Sequence, residues 1–174
     1  MIEVLVGGAA AFAFLGHLGV WLAAYRPIVS GRRLGRWDPT PTPEVMRAFP
    51  DNAIGVAPGS AYLYAGYALK PDEALVVEGT IDPDATYASL TLYDLYLQGV
   101  TGRTGPTHLS DTSLGPRWRV VVAREDRGFE RFLDAANQPT GVIAFRHAPG
   151  HGVVAPRLRV VSLEEARSLT ARIG

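Results

Sequence analysis

Hydrophobic and polar positions follow two different patterns along this chain. Residues 4–25 form one apolar run without any Asp, Glu, Lys or Arg, whereas from residue 61 onward short apolar runs alternate with polar and turn-forming residues. As a helix rising about 1.5 Å per residue, the first run would be roughly 33 Å long, enough to cross a bilayer core of about 30 Å. We therefore predict a single transmembrane anchor helix over residues 1–25.

Two other interpretations of this segment stay open. A secretory signal peptide normally begins with basic residues and ends at a small-residue cleavage site. Here residues 1–3 contain the acidic Glu3, and their only basic group is the terminal amine. A buried soluble helix normally carries a polar face, and here only His17 interrupts the apolar run. The closing aromatic residues Trp21 and Tyr25 suit a membrane–water interface. These features favour an uncleaved anchor.

The surface of this helix predicts a packing partner within the membrane. Small residues recur along it at spacings of three, four and seven, and such a stripe lets a second helix approach closely in lipid. Glycine and alanine are also common in membrane helices that have no partner. The ionisable His17 would face protein rather than lipid. The predicted packing positions are Ala9, Ala13, Gly16, His17, Val20 and Ala23.

Basic residues follow the apolar run, whereas only the terminal amine precedes it. The positive-inside rule therefore predicts that the rest of the chain is cytoplasmic. We expect the arginines to lie among anionic headgroups. The predicted interfacial residues are Trp21, Tyr25, Arg26, Arg32, Arg33 and Arg36.

Residues 26–55 are rich in proline and arginine and predict an extended juxtamembrane linker. The tract of residues 38–43 contains three prolines, which lack the amide donor that a regular helix or a central strand requires. Thr42 as a cap and Pro43 at the first helical position could then begin a short helix that ends at Phe49.

Residues 56–174 predict a mainly β domain. Within the third apolar run, Ala88, Leu90 and Leu92 alternate with Tyr87, Ser89, Thr91 and Tyr93, which is the pattern of a strand with one buried face. Short strands at this spacing favour an antiparallel β-sandwich or jelly roll with short helices. The predicted strands are residues 61–69, 74–81, 87–94, 118–124, 142–146 and 158–161.

Three other segments complete the predicted domain. Residues 99–115 are rich in Gly, Thr and Ser and predict a loop. Residues 129–136 predict a short helix, since Phe129, Phe132 and Leu133 would share one side of it. A last helix begins at Ser162, which forms a capping-box pattern with Glu165, and runs to about residue 172.

Several of these segments resemble a known family. The start of the domain of unknown function 1214 family is similar to residues 74–80 and 84–94 of this chain. The most specific part of this similarity is Ser-Leu-Thr-Leu-Tyr-Asp at residues 89–94. Residues 118–122 resemble its strand after a variable loop, and residues 141–149 resemble its closing arginine-aromatic-x-proline element. The resemblance covers about residues 61–149.

This resemblance implies an all-β sandwich that usually lies beside a second domain in larger proteins, and it supplies no catalytic residues. In this chain we expect a membrane helix in place of the companion domain. Two positions differ from the family pattern. His147 stands where the family usually has an aromatic residue, and the expected asparagine-tryptophan pair appears only as Asn137 and Gln138.

Composition excludes some classes of function. The chain has 17 basic and 17 acidic residues, so it offers no overall electrostatic footprint for nucleic acid. It contains no cysteine, which excludes disulfides, thiolate metal ligands and a cysteine nucleophile. We therefore predict no nucleic-acid partner.

The histidines are candidate metal ligands. His147 and His151 have the spacing of a zinc ligand pair, and His108 and Asp111 could join them from another loop. The proline and glycine between the first two leave their geometry unspecified, and a structural role is favoured. We therefore predict no metal site and no cofactor.

Catalytic and phosphate-binding motifs are incomplete. His108, Ser110 and Asp111 offer the residue types of a hydrolase, but no nucleophile elbow surrounds the serine. The glycine-rich residues 99–105 include Arg103 but lack the glycine-lysine-serine/threonine ending of a P-loop. We predict a flexible surface loop there and no catalytic residue.

The tyrosine-rich strands offer a candidate contact surface, because tyrosine is enriched at interfaces. The alternative is that these side chains form the second layer of the sandwich. The tyrosines concerned are Tyr62, Tyr64, Tyr67, Tyr87, Tyr93 and Tyr96.

Two functions follow from these observations. The first is a non-catalytic accessory subunit, anchored by one helix, that docks on and stabilises or regulates an integral-membrane complex such as a transporter of lipids or other hydrophobic compounds. The second is a membrane-tethered small-ligand-binding module or enzyme. Its candidate ligand residues are Arg103, His108, Asp111, Arg146, His147 and His151.

Overall fold

The computed structural model describes residues 46–49, 59–95, 97–149 and 153–170, all of which belong to one compact unit. Nine strands and two short helices occur in this part of the chain. The strands are β1 (Arg47–Ala48), β2 (Ala61–Ala68), β3 (Glu73–Thr80), β4 (Tyr87–Tyr93), β5 (His108–Ser110), β6 (Arg117–Ala123), β7 (Phe132–Asp134), β8 (Thr140–Ala148) and β9 (Arg157–Ser162). The helices are α1 (Asp111–Leu114) and α2 (Leu163–Thr170).

The strands form two sheets, so the predicted mainly β class is confirmed. Sheet A has the order β1-β2-β8-β4-β5, and sheet B has the order β7-β6-β3-β9. Neighbouring strands are antiparallel except for β6 and β7, which are parallel. This arrangement is consistent with a β-sandwich.

The main core lies between the sheets and is built by alternation along their strands. Leu90 of β4 and Phe145 of β8 enter it from sheet A, and Leu75 of β3 and Val120 of β6 enter it from sheet B. The rings of Trp118 and Phe145 meet across this core with their centroids 5.5 Å apart. Because side chains of a strand alternate between two faces, the residues between these positions face outward.

The outer face of sheet B is covered by a second apolar cluster. Val76 and Val121 of the sheet contact Phe129 and Phe132 together with Ala166 of α2 in this cluster. Sheet B is therefore buried on both faces, which explains why β3 and β6 read as nearly continuous runs of aliphatic residues.

Most of the predicted strands are confirmed to within one residue at each end, and the predicted C-terminal helix is confirmed where it is described. The exception is the strand predicted over residues 142–146, which β8 extends by two residues at each end. The Ser162 hydroxyl accepts a hydrogen bond of 3.1 Å from the Glu165 amide, as the capping pattern predicts.

Three local predictions are wrong. The helix expected over residues 129–136 is strand β7, because successive residues Phe132 and Leu133 are buried on opposite sides of sheet B rather than along one helical face. The loop expected over residues 99–115 contains β5 and α1. The helix expected to end at Phe49 is strand β1 where the structure describes it, because Arg47 and Ala48 pair with β2. This strand lies within the range predicted as linker.

The predicted anchor lies outside the described residues. None of the helices in the described part of the chain has the length and apolar character to span a membrane. The transmembrane helix over residues 1–25 and its packing and interfacial positions therefore stay predictions.

Arg119 fastens helix α2 to sheet B. Its guanidinium group pairs with the Glu78 carboxylate on β3 and donates a hydrogen bond to the Leu169 carbonyl in the last turn of α2. Both charged side chains are less than one-third exposed, so solvent screens the pair only partly.

We predict that Arg119→Met lowers the free energy of unfolding by about 1 to 2 kcal/mol and speeds hydrogen exchange of the α2 amides. The matched control is Arg159→Met, which removes an exposed pair with Glu165 at 3.7 Å and should change stability by less than about 0.5 kcal/mol. Denaturation and hydrogen exchange of the full chain measure both. Equal effects of the two substitutions would contradict the role of Arg119.

Candidate functional site

The outward side of sheet A gathers polar and aromatic residues around Arg146. The register places Tyr62 of β2 and Ser89 of β4 directly opposite Arg146 of β8, and it places Ser110 of β5 opposite Ser89. Neighbouring strands are about 4.8 Å apart, so these side chains form one row across four strands. We call this surface the Arg146 face, and it comprises Tyr62, Tyr87, Ser89, Thr91, His108, Ser110 and Arg146.

Two tyrosine rings hold the Arg146 guanidinium group. Its central carbon lies 5.3 Å from the ring centroid of Tyr62 and 4.9 Å from that of Tyr87. Both distances are within the range of cation–π attraction, which also limits the rotamers that the arginine can adopt. The arginine is therefore oriented before any ligand arrives.

The Arg146 Nε–H group has no hydrogen-bond partner among the described residues, although it is buried. Buried donors in folded proteins are nearly always paired, and an unpaired one requires an explanation. An acceptor supplied from outside the domain is one such explanation, and Arg146 is only partly covered, so an approach remains open.

His108 and Thr91 form a second polar group on the same surface. The two residues are opposite each other on β5 and β4, and the Thr91 hydroxyl lies 2.8 Å from His108 Nδ1. His108 is exposed to solvent, and its hydrogen bond to a described residue is made through Nδ1. At the end of β5, the Ser110 hydroxyl lies 3.0 Å from the hydroxyl of Thr112 in α1.

The charge of the Arg146 face is one-sided. The five strands of sheet A contain Arg47, Arg146 and two histidines but no Asp or Glu. Of the two histidines, only His108 faces outward. Such a surface favours an anionic partner, because nothing on its strands repels one or neutralises the arginine.

His147 lies on the other side of β8 from Arg146. It is 1% exposed and sits in the core beside Phe145, with ring centroids 6.1 Å apart. Its Nδ1 lies 2.8 Å from the Pro149 carbonyl oxygen, and its Nε2 lies 3.4 Å from the Asp82 amide nitrogen. A carbonyl only accepts and an amide only donates, so these partners select the neutral tautomer protonated on Nδ1. Consecutive residues of a strand face opposite sides, so the structure places His147 in the core and Arg146 on the outward side of β8 and does not bring these two predicted ligand residues together.

The other predicted ligand residues are also dispersed. Arg103 is exposed on the glycine-rich loop, whereas the Asp111 side chain and His151 lie outside the described residues. In the described ranges, no three residues of the types His, Asp and Glu come close enough together to hold a metal ion.

The glycine-rich loop is fastened by Asp134, a role that the sequence did not reveal. Oδ2 of this buried carboxylate accepts hydrogen bonds from the Thr104 amide at 2.6 Å and the Gly105 amide at 2.9 Å, and Oδ1 accepts one from the Ala136 amide at 2.8 Å. A phosphate could not use the first two amides, because the carboxylate already occupies them.

These contacts also set the ionisation of Asp134. Burial alone would raise its pKa, but the hydrogen bonds from the Thr104, Ala136 and Gly105 amides outweigh burial and hold the pKa below its ordinary value. The loop predicted as flexible is therefore tied to β7 by an ionised carboxylate. The signal in the sequence was weak, since Asp134 is thirty residues from Thr104.

The tyrosines are divided between surface and core. Tyr62 and Tyr87 belong to the Arg146 face. The buried ring of Tyr64 packs against the ring of Phe49, and the two ring centroids are 5.0 Å apart. Tyr67 points into the main core, and its hydroxyl donates to the Gln138 carbonyl at 3.0 Å. Burial raises the pKa of Tyr67 well above its ordinary value. Tyr96 lies outside the described residues.

Comparison with known proteins finds similarity only at the level of solved structures. No protein-family model and no curated protein matches the chain. One similar structure is the crystal structure of an uncharacterised protein from Burkholderia cenocepacia, which is 26% identical in sequence and has a TM-score of 0.62. The alignment covers 70% of this chain and 36% of the Burkholderia chain. Another is the crystal structure of a Vibrio parahaemolyticus protein, which is 12% identical in sequence and has a TM-score of 0.47. That alignment covers 63% of this chain and 32% of the Vibrio chain. This chain thus spans about a third of the length of each neighbour.

Proposed function

We propose that the protein is a single-pass, membrane-anchored accessory subunit that docks on an integral-membrane complex and stabilises or regulates it. The observation that carries this proposal is the uncharged run of residues 4–25, which is long enough to cross a bilayer as a helix. The small residues along that helix would contact the partner's membrane helices. A transporter of lipids or other hydrophobic compounds is the partner class that we favour.

Two further assignments belong to the same proposal. The β domain is cytoplasmic, on the strength of the arginines that follow the apolar run. The domain also belongs to the domain of unknown function 1214 family. In support, the residues that resemble this family form β3, β4, β6 and β8, which lie inside the two sheets rather than at their edges.

The accessory role predicts recovery of the protein in a larger complex. Full-length protein, tagged after Gly174 and extracted from its native membrane in mild detergent, should migrate with an integral-membrane protein. Ala13→Leu should reduce that recovery several-fold, because a bulky side chain in the small-residue stripe holds the two helices apart. Native gel electrophoresis and quantitative mass spectrometry measure the recovery.

The matched control is Ala11→Leu, the same change on the opposite side of an ideal helix. It should leave recovery unchanged. Isolation of the protein only as a free monomer, or its full solubility without detergent, would contradict the proposal.

A second candidate function is a membrane-tethered module that binds a small ligand. Arg146 is oriented between two tyrosine rings, and its buried Nε–H group has no partner in the part of the chain that the structure describes, which favours this function. The two candidates are compatible in one protein, because the first uses the membrane helix and the second uses the outward side of sheet A.

A further inference from the structure

We propose that the Arg146 face binds a phosphate group. The inference rests on the ligand-binding candidate and not on the membrane anchor. It assigns one chemical class of ligand to a surface whose described strands provide an oriented cation and no acidic residue.

Arg146 supplies the main recognition element. A guanidinium group presents its donors as a planar fork that matches two oxygens of an oxyanion. The Tyr62 and Tyr87 rings hold this group, with its central carbon 5.3 and 4.9 Å from their centroids, which lowers the entropy lost on binding. The buried Nε–H group then gains the acceptor that it lacks among the described residues.

The neighbouring strands supply additional donors. Ser89 is opposite Arg146 on β4, and Thr91 is two residues further along that strand, beside His108. Hydroxyl and imidazole groups can donate to further oxygens of the same ligand. A phosphate has more oxygens to accept these bonds than a carboxylate, which has two, and this difference favours phosphate.

The absence of acidic residues from the strands of sheet A makes the site permissive for a ligand that carries more than one negative charge. By contrast, Arg119 on sheet B is already neutralised by Glu78. Arg146 is therefore the better placed of the two for an external anion.

The test follows the Arg146 Nε–H resonance of the full-length protein by NMR, in a detergent without phosphate groups. Inorganic phosphate should shift this resonance in a saturable way, and acetate should bind more weakly. Arg146→Met should weaken phosphate binding, measured by calorimetry, roughly tenfold or more. Arg146→Lys should weaken it as well, because an ammonium group lacks the planar fork.

The matched control is Arg157→Met, which removes an exposed arginine from β9 of the other sheet and should leave binding unchanged. No shift of the Arg146 resonance with phosphate would overturn the site. An equal loss in the control, full binding by the lysine variant, or equal affinity for acetate would overturn it too.

Two further titrations distinguish the sources of the phosphate. Glycerol phosphate represents a soluble ester, and phosphatidylcholine vesicles containing phosphatidic acid represent an anionic lipid headgroup. Vesicles of phosphatidylcholine alone, whose phosphodiester is neutralised by its choline group, are their control. A shift with either anionic probe supports the site and identifies its source, whereas no shift with either overturns it. The Arg146→Met variant should still be recovered with the membrane complex, so failure of this inference is distinguishable from failure of the accessory role.

Discussion

Replacing Asp134 by asparagine is expected to lower the free energy of unfolding by about 3 kcal/mol at neutral pH. The new amide group would place N–H donors where Oδ2 now accepts from Thr104 and Gly105. At least one buried donor then loses its partner, and the charge that strengthens these bonds is removed. Chemical denaturation of the full chain measures the difference from wild type.

The difference should depend on pH in a defined direction. Hydrogen bonds hold the pKa of Asp134 in the folded protein below its unfolded value, which is about 3.9. Between the two pKa values the unfolded chain binds more protons, so stability rises with pH there. The contribution of Asp134 is therefore complete above the unfolded pKa and is lost as pH falls through the folded one.

The matched control is Asp84→Asn, which changes an exposed carboxylate in the turn after β3. Its effect should stay within about 0.5 kcal/mol. A destabilisation by Asp134→Asn no larger than that of the control would contradict the proposed fastening of the glycine-rich loop. So would a difference that does not shrink in acid.

Replacing Gly141 by alanine is expected to destabilise the protein by about 2 to 3 kcal/mol. A Cβ atom at this position would lie 2.4 Å from the Tyr93 carbonyl oxygen and 3.0 Å from the Tyr67 hydroxyl oxygen. The first of these atoms belongs to the backbone of the adjacent strand, so no side-chain rotation can relieve the contact. Strands β4 and β8 would have to separate locally.

Gly99→Ala is the matched control, because a Cβ atom there would have no neighbour within 4 Å. Alanine restricts the unfolded chain, so this substitution should be neutral or stabilising by up to about 1 kcal/mol. Denaturant unfolding of the two variants, compared by their midpoints in the same denaturant, measures the difference. If Gly141→Ala proved as stable as Gly99→Ala, the close approach of the strands would be contradicted.

Much of the β architecture could be predicted from local pattern. The alternation of Leu90 and Leu92 with Ser89 and Thr91 determines which side of β4 is buried, because successive side chains of a strand face opposite ways. Strand β7 was missed for a related reason. Phe129, Phe132 and Leu133 have the spacing of a helix face, but the sheet buries Phe132 and Leu133 on its two sides.

The candidate site could be predicted only in part. Arg146, His108 and the tyrosines were identified as single residues, but which of them share a surface depends on strand pairing between positions far apart in sequence. His147 illustrates the limit. Its neighbour in sequence is Arg146, yet the pleat of β8 places His147 in the core and Arg146 on the outside.

The sequence by itself determined the apolar amino-terminal run, the mainly β character and the capped C-terminal helix, because each depends on residues close together in the chain. Only the tertiary structure decided that Asp134 fastens the glycine-rich loop, that His147 is a core residue, and that Arg146 stands between Tyr62 and Tyr87. The physical reason is that hydrogen bonds and ring contacts act over a few ångströms in space. The register of strands distant in sequence sets which groups come within that range.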